Sequence, residues 1–147
     1  VKADASQGLP FEHDFFDAVV SIDSYNYYGR DPRYLGERLL PFVRRGGMLY
    51  LSIPGMVCDW HDNLPDCLLK SWTPEQLDYM HDISWWRAMI EPTPGIEIIS
   101  MSPMLCTAEA WSDWLTCDNE YAAGDRAAVE AGALEYLNTI AIVLRKL

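Results

Sequence analysis

The stretch Phe16-Asp17-Ala18-Val19-Val20-Ser21-Ile22-Asp23-Ser24-Tyr25-Asn26-Tyr27-Tyr28-Gly29 decides how the chain is read. Its opening run is short, apolar and β-branched, which predicts a strand over about 17–23, buried on both faces. Ser21, Asp23, Ser24 and three tyrosines follow directly. Open α/β sheets keep their ligands just past the carboxyl ends of parallel strands, so this polar and aromatic set stands where a ligand is expected. Plain aromatic packing with a helix cap is the competing reading, and both stay open at this level.

Downstream, Asp31-Pro32 offers a helix start, with Asp31 as N-cap and Pro32 at the first helical position. Tyr34, Leu35, Leu39, Phe42 and Val43 recur at helical spacing, and Gly46-Gly47 supplies a left-handed stop. Met48–Ile53 is a second apolar run, ended by Pro54-Gly55. Strand, helix, Gly-Gly, strand is the pattern of a right-handed crossover between parallel neighbours. Residues 56–72 have no period and read as a loop or lid-like excursion. Thr73-Pro74-Glu75-Gln76 is a strong helix start, and its apolar stripe continues toward Ile90. A third strand is expected at Ile96–Ser100, a short amphipathic helix at Trp111–Leu115, a helix at 125–137 and a last strand at Thr139–Leu144. Upstream, residues 1–4 read as the end of a strand and 5–14 as a loop broken by Gly8 and Pro10.

The 147 residues suit one domain with a real core, since half are apolar and the aromatics reach 12%. The formal net charge is -11, and 15 of the 22 acidic residues fall after position 50. Such a chain repels nucleic acid and anionic membranes, and no apolar run is long enough to span a bilayer. The four cysteines, at 58, 67, 106 and 117, form no tight pair, so free thiols in a cytoplasmic, reducing setting are expected. The chain opens on Val1 in mid-pattern, which leads us to expect further residues ahead of it.

Motifs for serine hydrolysis, phosphate-loop binding and zinc-protease chemistry are absent. Cys58, His61 and Cys67 are close in sequence, but closed ligand pairs are missing and no metal is expected. His81-Asp82 suits either an acid–base pair or a structural histidine. His13 beside Asp14 lies in the loop near the strand edges. Trp60, Trp72, Trp85 and Trp86 suit the wall of an acceptor pocket, but by type an ordinary core or interface place is the expected one for each.

Three blocks at these spacings carry a resemblance. They are Asp4-Ala5 with Leu9-Pro10-Phe11, then Phe16–Ser21, then Tyr34-Leu35 through Leu39-Leu40, Val43, Gly46-Gly47, Leu49 and Ser52–Gly55. Together they resemble the downstream half of a class I S-adenosylmethionine-dependent methyltransferase, most like the small-molecule and lipid-type enzymes related to cyclopropane-fatty-acid synthases. The resemblance implies an α/β fold with a Rossmann-like, mostly parallel sheet, its amino-terminal strands missing from this chain and its last strand antiparallel. Residues 1–147 would then be the carboxy-terminal part of a single domain, with a helical excursion at about 108–137.

By position, the resemblance implies that Asp4 bonds the adenine amino group of the cofactor, with Ala5 beside the ring. Ser21 and Ile22 would lie along its methionine part. Asp23, Tyr25 and Tyr28 would face the methyl acceptor, with His61 a further acceptor-side residue and Asp23 the candidate catalytic carboxylate. The implied activity is methyl transfer from S-adenosylmethionine to a small-molecule or lipid-like acceptor, with this fragment alone expected inactive. The alternative is a non-catalytic ligand-binding or partner-subunit domain of the same fold. A homodimer is a further expectation, because sheet surface left uncovered needs a partner.

Overall fold

β1 (Phe16–Ile22), β2 (Val43–Met56), β3 (Ile96–Pro103) and β4 (Leu137–Lys146) hydrogen-bond into one sheet in the order β1-β2-β4-β3. This arrangement comes from a computed structural model describing residues 1–147. β1 and β2 pair in parallel, with Ala18 opposite Met48 and Ile22 opposite Ser52. β4 runs antiparallel to both β2 and β3. The expectation of a mostly parallel sheet is therefore wrong, because two of the three pairings are antiparallel. The cause is where the last strand lands. It enters the slot between β2 and β3, so the one crossover pair is the only place where parallel neighbours touch.

The crossover also differs from the expected single helix. α1 (Tyr25–Tyr28) is one turn, followed by a π-helical stretch at Tyr34–Leu39 and a 3-10 turn at Leu40–Phe42. Pro41 lies within that turn and has no N–H to continue the ladder, which cuts the helix short of the glycines. Asp31 does not cap it; its carboxylate accepts the Arg33 N–H instead. Gly46 has φ +76 and sits where the β1–β2 register slips, between the Phe16–Val43 and Ala18–Met48 pairs. The glycine pair thus shapes a bulge inside β2 and does not end a helix.

Pro54 does not stop β2 either, since the strand runs on to Met56, with Pro54 opposite Thr139 and Gly55 opposite Asn138. β1 has already ended opposite Ser52, so this part of β2 is an open edge where a missing N–H costs no ladder bond. The expected helix from Thr73 to Ile90 is two pieces. α2 (Pro74–Leu77) starts on a Thr73–Gln76 capping box, and α3 (Ile83–Ile90) starts afresh where the Asp82 carboxylate accepts the Trp85 N–H. α4 (Thr107–Trp114) and α5 (Glu120–Glu130) complete the helices, and α5 begins earlier than expected because Asn119 caps it. Residues 1–15 contain no strand; a turn closed by the Gln7 N–H on the Asp4 carbonyl stands where a strand end was expected.

Helices cover one face of the sheet. Leu49, Leu51 and Ile53 of β2 and Ile140, Ile142 and Leu144 of β4 pack there against Trp86, Ile90, Leu35 and Leu39. A second cluster joins Met56, Leu68, Trp72, Leu77, Ala128 and Leu137, tying the carboxyl end of β2 to α5. The other face is open: Val20 is 65% and Ile22 71% exposed. β1 is thus covered on one side only, not on both as its apolar run suggests. No helix is long and apolar enough to cross a membrane.

Candidate functional site

A cavity of about 730 Å³ opens past the carboxyl ends of β1 and β2 and runs under α4 and α5. Asp23 and Tyr27 line it from the β1 end, Pro54 and Gly55 from β2, and Asn138 from the start of β4. Trp72, Tyr79, Trp111, Trp114 and Tyr121 give it aromatic walls. Three carboxylates line it, on Asp23, Glu120 and Asp125, and no Lys, Arg or His does.

Asp125 anchors two of the walls. Its Oδ1 accepts the Trp72 indole N–H and its Oδ2 the Trp114 indole N–H, both at 2.9 Å. Ser71 adds a link between the segment before α2 and α5, donating to the Gly124 carbonyl and accepting the Ala128 N–H. The Trp72 and Trp111 rings meet edge-on at 5.9 Å, and Tyr27 lies 5.0 Å from Tyr79.

Asp23 carries a left-handed backbone, φ +50, uncommon for a residue with a side chain. Its N–H donates to the Ser52 carbonyl at 2.8 Å, which extends the β1–β2 pairing by one residue and fixes the turn. Partial burial, together with the like charge of Asp125, pushes its carboxyl above the usual carboxylate range. Beside it Asn26 is buried, and its Oδ1 has no hydrogen-bond partner; the buried Oδ1 of Asn138 has none either.

The residues named from sequence fall into several places. Ile22 and Asp23 line the cavity. Ser21 Oγ lies 2.9 Å from Ser24 Oγ and 3.4 Å from the Tyr28 hydroxyl. The Tyr28 ring lies tilted against Tyr34, centroids 4.7 Å apart, and the Tyr34 hydroxyl donates to the Ala5 carbonyl at 2.8 Å. That chain joins Ala5 to the end of β1. Burial raises the Tyr34 phenol to about 12, so it stays a donor across the working pH range. Asp4 is exposed, with Ser6 donating twice to its Oδ1, which holds its carboxyl below the usual range. Tyr25 is in the core against Trp86 and does not reach the cavity.

His61 lies outside the cavity. Its Nδ1 is 2.6 Å from Asp59 Oδ1 and its Nε2 3.2 Å from the Leu77 carbonyl. The ligand atoms of Asp59, His61 and His81 come within 4.8 Å of one another, but both nitrogens of His61 are already engaged. Cys58 and Cys67 are free thiols outside that group. Of the four tryptophans singled out, Trp72 alone lines the cavity; Trp86 is core, Trp85 stacks on His81 at 3.7 Å, and Trp60 meets Tyr136.

Tyr79, Trp111, Trp114 and Asp125 have no place among the residues chosen from sequence, whereas Tyr27 belongs to the polar and aromatic set read after β1. The three-residue spacing of Trp111 and Trp114 puts both on one helix face, a signal that was present. Asp125 gave none, because one acid in an alanine-rich helix looks like any solvated position.

The sequence matches no protein-family model and no curated protein. Solved structures do match, at the level of fold. One is a phosphoethanolamine N-methyltransferase 2 of Haemonchus contortus in complex with S-adenosyl-L-methionine, at TM-score 0.68 and 17% identity, covering 97% of this chain and 36% of that one. Another is a geranyl diphosphate C-methyltransferase of Streptomyces coelicolor A3(2), at TM-score 0.67 and 13% identity, covering 97% and 50%. A third is the [4+2]-cyclase SpnF, at TM-score 0.61 and 18% identity, covering 98% and 54%. The fold therefore matches the class I methyltransferase fold, and the chain spans about half the length of several of the structures it matches.

Proposed function

We propose that the chain is the acceptor-side part of an S-adenosylmethionine-dependent methyltransferase that acts on a small molecule. One observation carries this reading: a large aromatic cavity with a strained carboxylate, Asp23, at the carboxyl end of the parallel pair β1–β2. That edge is where an α/β sheet presents ligand to chemistry. Support at the level of fold comes from similar structures whose complexes contain S-adenosylmethionine or S-adenosylhomocysteine. The molecules bound beside the cofactor product in two of them, phosphomonomethylethanolamine and geranyl diphosphate, fit a small-molecule or lipid-type branch of the family.

The residues present fit the cofactor. Ser6 occupies only Oδ1 of Asp4, which leaves Oδ2 open to accept from an adenine amino group. The Tyr34–Ala5 bond holds that turn in one chain of contacts with Tyr28 and Ser21, and Ile22 presents apolar surface at the strand end. S-adenosylmethionine supplies, when bound, a methyl group on a cationic sulfur. The chain's own task is then alignment of the acceptor, exclusion of water by the tryptophan walls, and acceptance of a proton at Asp23 where the acceptor must lose one.

The cyclase among the similar structures favours a second reading, a ligand-binding or catalytic domain of this fold that transfers no methyl group. Calorimetry of the full-length protein with S-adenosylmethionine, followed by detection of S-adenosylhomocysteine over a panel of acceptors, separates the two. Micromolar binding with turnover is the expected result. Absence of cofactor binding would overturn the proposal, and binding without turnover would favour the second reading.

A further inference from the structure

The cavity wall is acidic and aromatic. Asp23, Glu120 and Asp125 bring three carboxylates to it, and no basic side chain lines it to balance them. Arg30, which stacks over Tyr79 at 4.2 Å, is paired with Asp78. The Trp72, Trp111 and Trp114 rings add the negative faces that attract a cation.

From these observations we infer that the cavity is a binding site for an organic ammonium group, so that the ligand it takes is an amine. Anionic ligands such as phosphates and carboxylates meet three carboxylates there and no basic side chain, and a neutral ligand leaves those carboxylates without a counter-charge. Asp125 is held in place by both indoles, so its charge is fixed in position before any ligand arrives. Asp23, like Glu120, carries no such duty. A protonated amine in the cavity can pass a proton to it: one N–H bond breaks, an O–H bond forms on Asp23, and the nitrogen keeps the electron pair. Asp23, shifted upward by burial and by Asp125, is suited to hold that proton briefly and return it to water.

As an account of the acceptor, this inference rests on the methyl-transfer reading above; the cavity's preference for a cation does not. The test is quenching of tryptophan fluorescence in the full-length protein, without cofactor. The probes are tetramethylammonium and n-butylammonium chlorides, set against tert-butanol and n-butanol at constant ionic strength. At least one cation should bind ten-fold or more tightly than its neutral counterpart. Asp125→Asn should remove most of that preference, and Glu120→Gln, which breaks no hydrogen bond of the fold, should reduce it by about two-fold. Equal binding of cation and alcohol, or competition by inorganic phosphate, would overturn the assignment. Ammonium binding by a protein that ignores S-adenosylmethionine would keep the cavity assignment and end the methyl-transfer reading. Turnover confined to uncharged acceptors would do the reverse.

Discussion

The Trp72 indole N–H donates to Asp125 Oδ1 at 2.9 Å across 53 residues of sequence, and this bond fastens the segment before α2 to α5. Trp114 uses the other oxygen of the same carboxylate. Charge-assisted hydrogen bonds of this kind contribute about 1.5–3 kcal/mol each, and leaving a partner unpaired adds its own cost. Asp125→Ala should therefore lower stability by about 2–4 kcal/mol, while Asp125→Asn, which keeps one acceptor, should lose roughly half as much. Urea unfolding of the two variants checks the ratio, and an Asp125→Ala chain as stable as the parent would deny the anchor.

Gly55 leaves no room for a side chain. A Cβ there would meet Ile140 Cδ1 and lie 2.9 Å from both Asn138 Oδ1 and the His81 carbonyl oxygen. The backbone oxygen cannot move aside cheaply, since it accepts the Met56 N–H. Gly55→Ala should cost about 1–3 kcal/mol, the range of overpacked cores. The denaturation midpoint should fall with the slope unchanged, and a neutral substitution would mean that β2 and β4 separate more readily than their register suggests.

The local signals that could be read in advance were those written in a few adjacent residues. The apolar run at 16–22 became β1, and Thr73-Pro74-Glu75-Gln76 formed the expected capping box. Partner choice was invisible by the same logic. Nothing in Leu137–Lys146 states that this strand enters between β2 and β3, because any apolar strand alternates in the same way. Pro54 misled for a related reason: its effect depends on whether β1 is still alongside, a fact held in the register and not in the dipeptide. In the site, the strand end gave Asp23 away, but the opposite wall comes from α4 and α5, some ninety residues on. The aromatic spacing in α4 showed a face without showing what it faces.

His81 makes stability depend on pH. Burial, followed by the nearby His61 ring, lowers its pKa from 6.5, while Asp59 and Asp78 pull the other way and Arg30 adds to the lowering. The folded state therefore prefers neutral His81, and the unfolded chain binds more protons below 6.5. Its contribution is intact above that value and is lost as pH falls from there through the lower folded-state pKa. His81→Phe keeps a ring to stack on Trp85 and removes the charge change. Melting curves at pH 7.5 and pH 5 should show a smaller acid loss for the variant than for the parent; equal losses would assign the effect elsewhere.

Asp23 should oppose stability to function. Its carboxyl is shifted upward in the folded state, by burial first and by Asp125 second, so the fold favours the protonated form. The associated stability is present below 3.8 and lost as pH rises through the folded value, which makes the ionised side chain a burden at neutral pH. Asn tolerates the left-handed backbone at φ +50 nearly as well as Asp, so Asp23→Asn removes the charge without straining the turn. The variant should match or exceed the parent in melting temperature at pH 7 and should fall below it only in acid. Turnover should move in the other direction. A base positioned at the acceptor contributes about 10²–10⁴-fold, so the rate should drop by that order, and the rise of the parent's rate with pH should vanish with the carboxylate. A variant that keeps full turnover and the same pH profile would leave Asp23 with no proton to take.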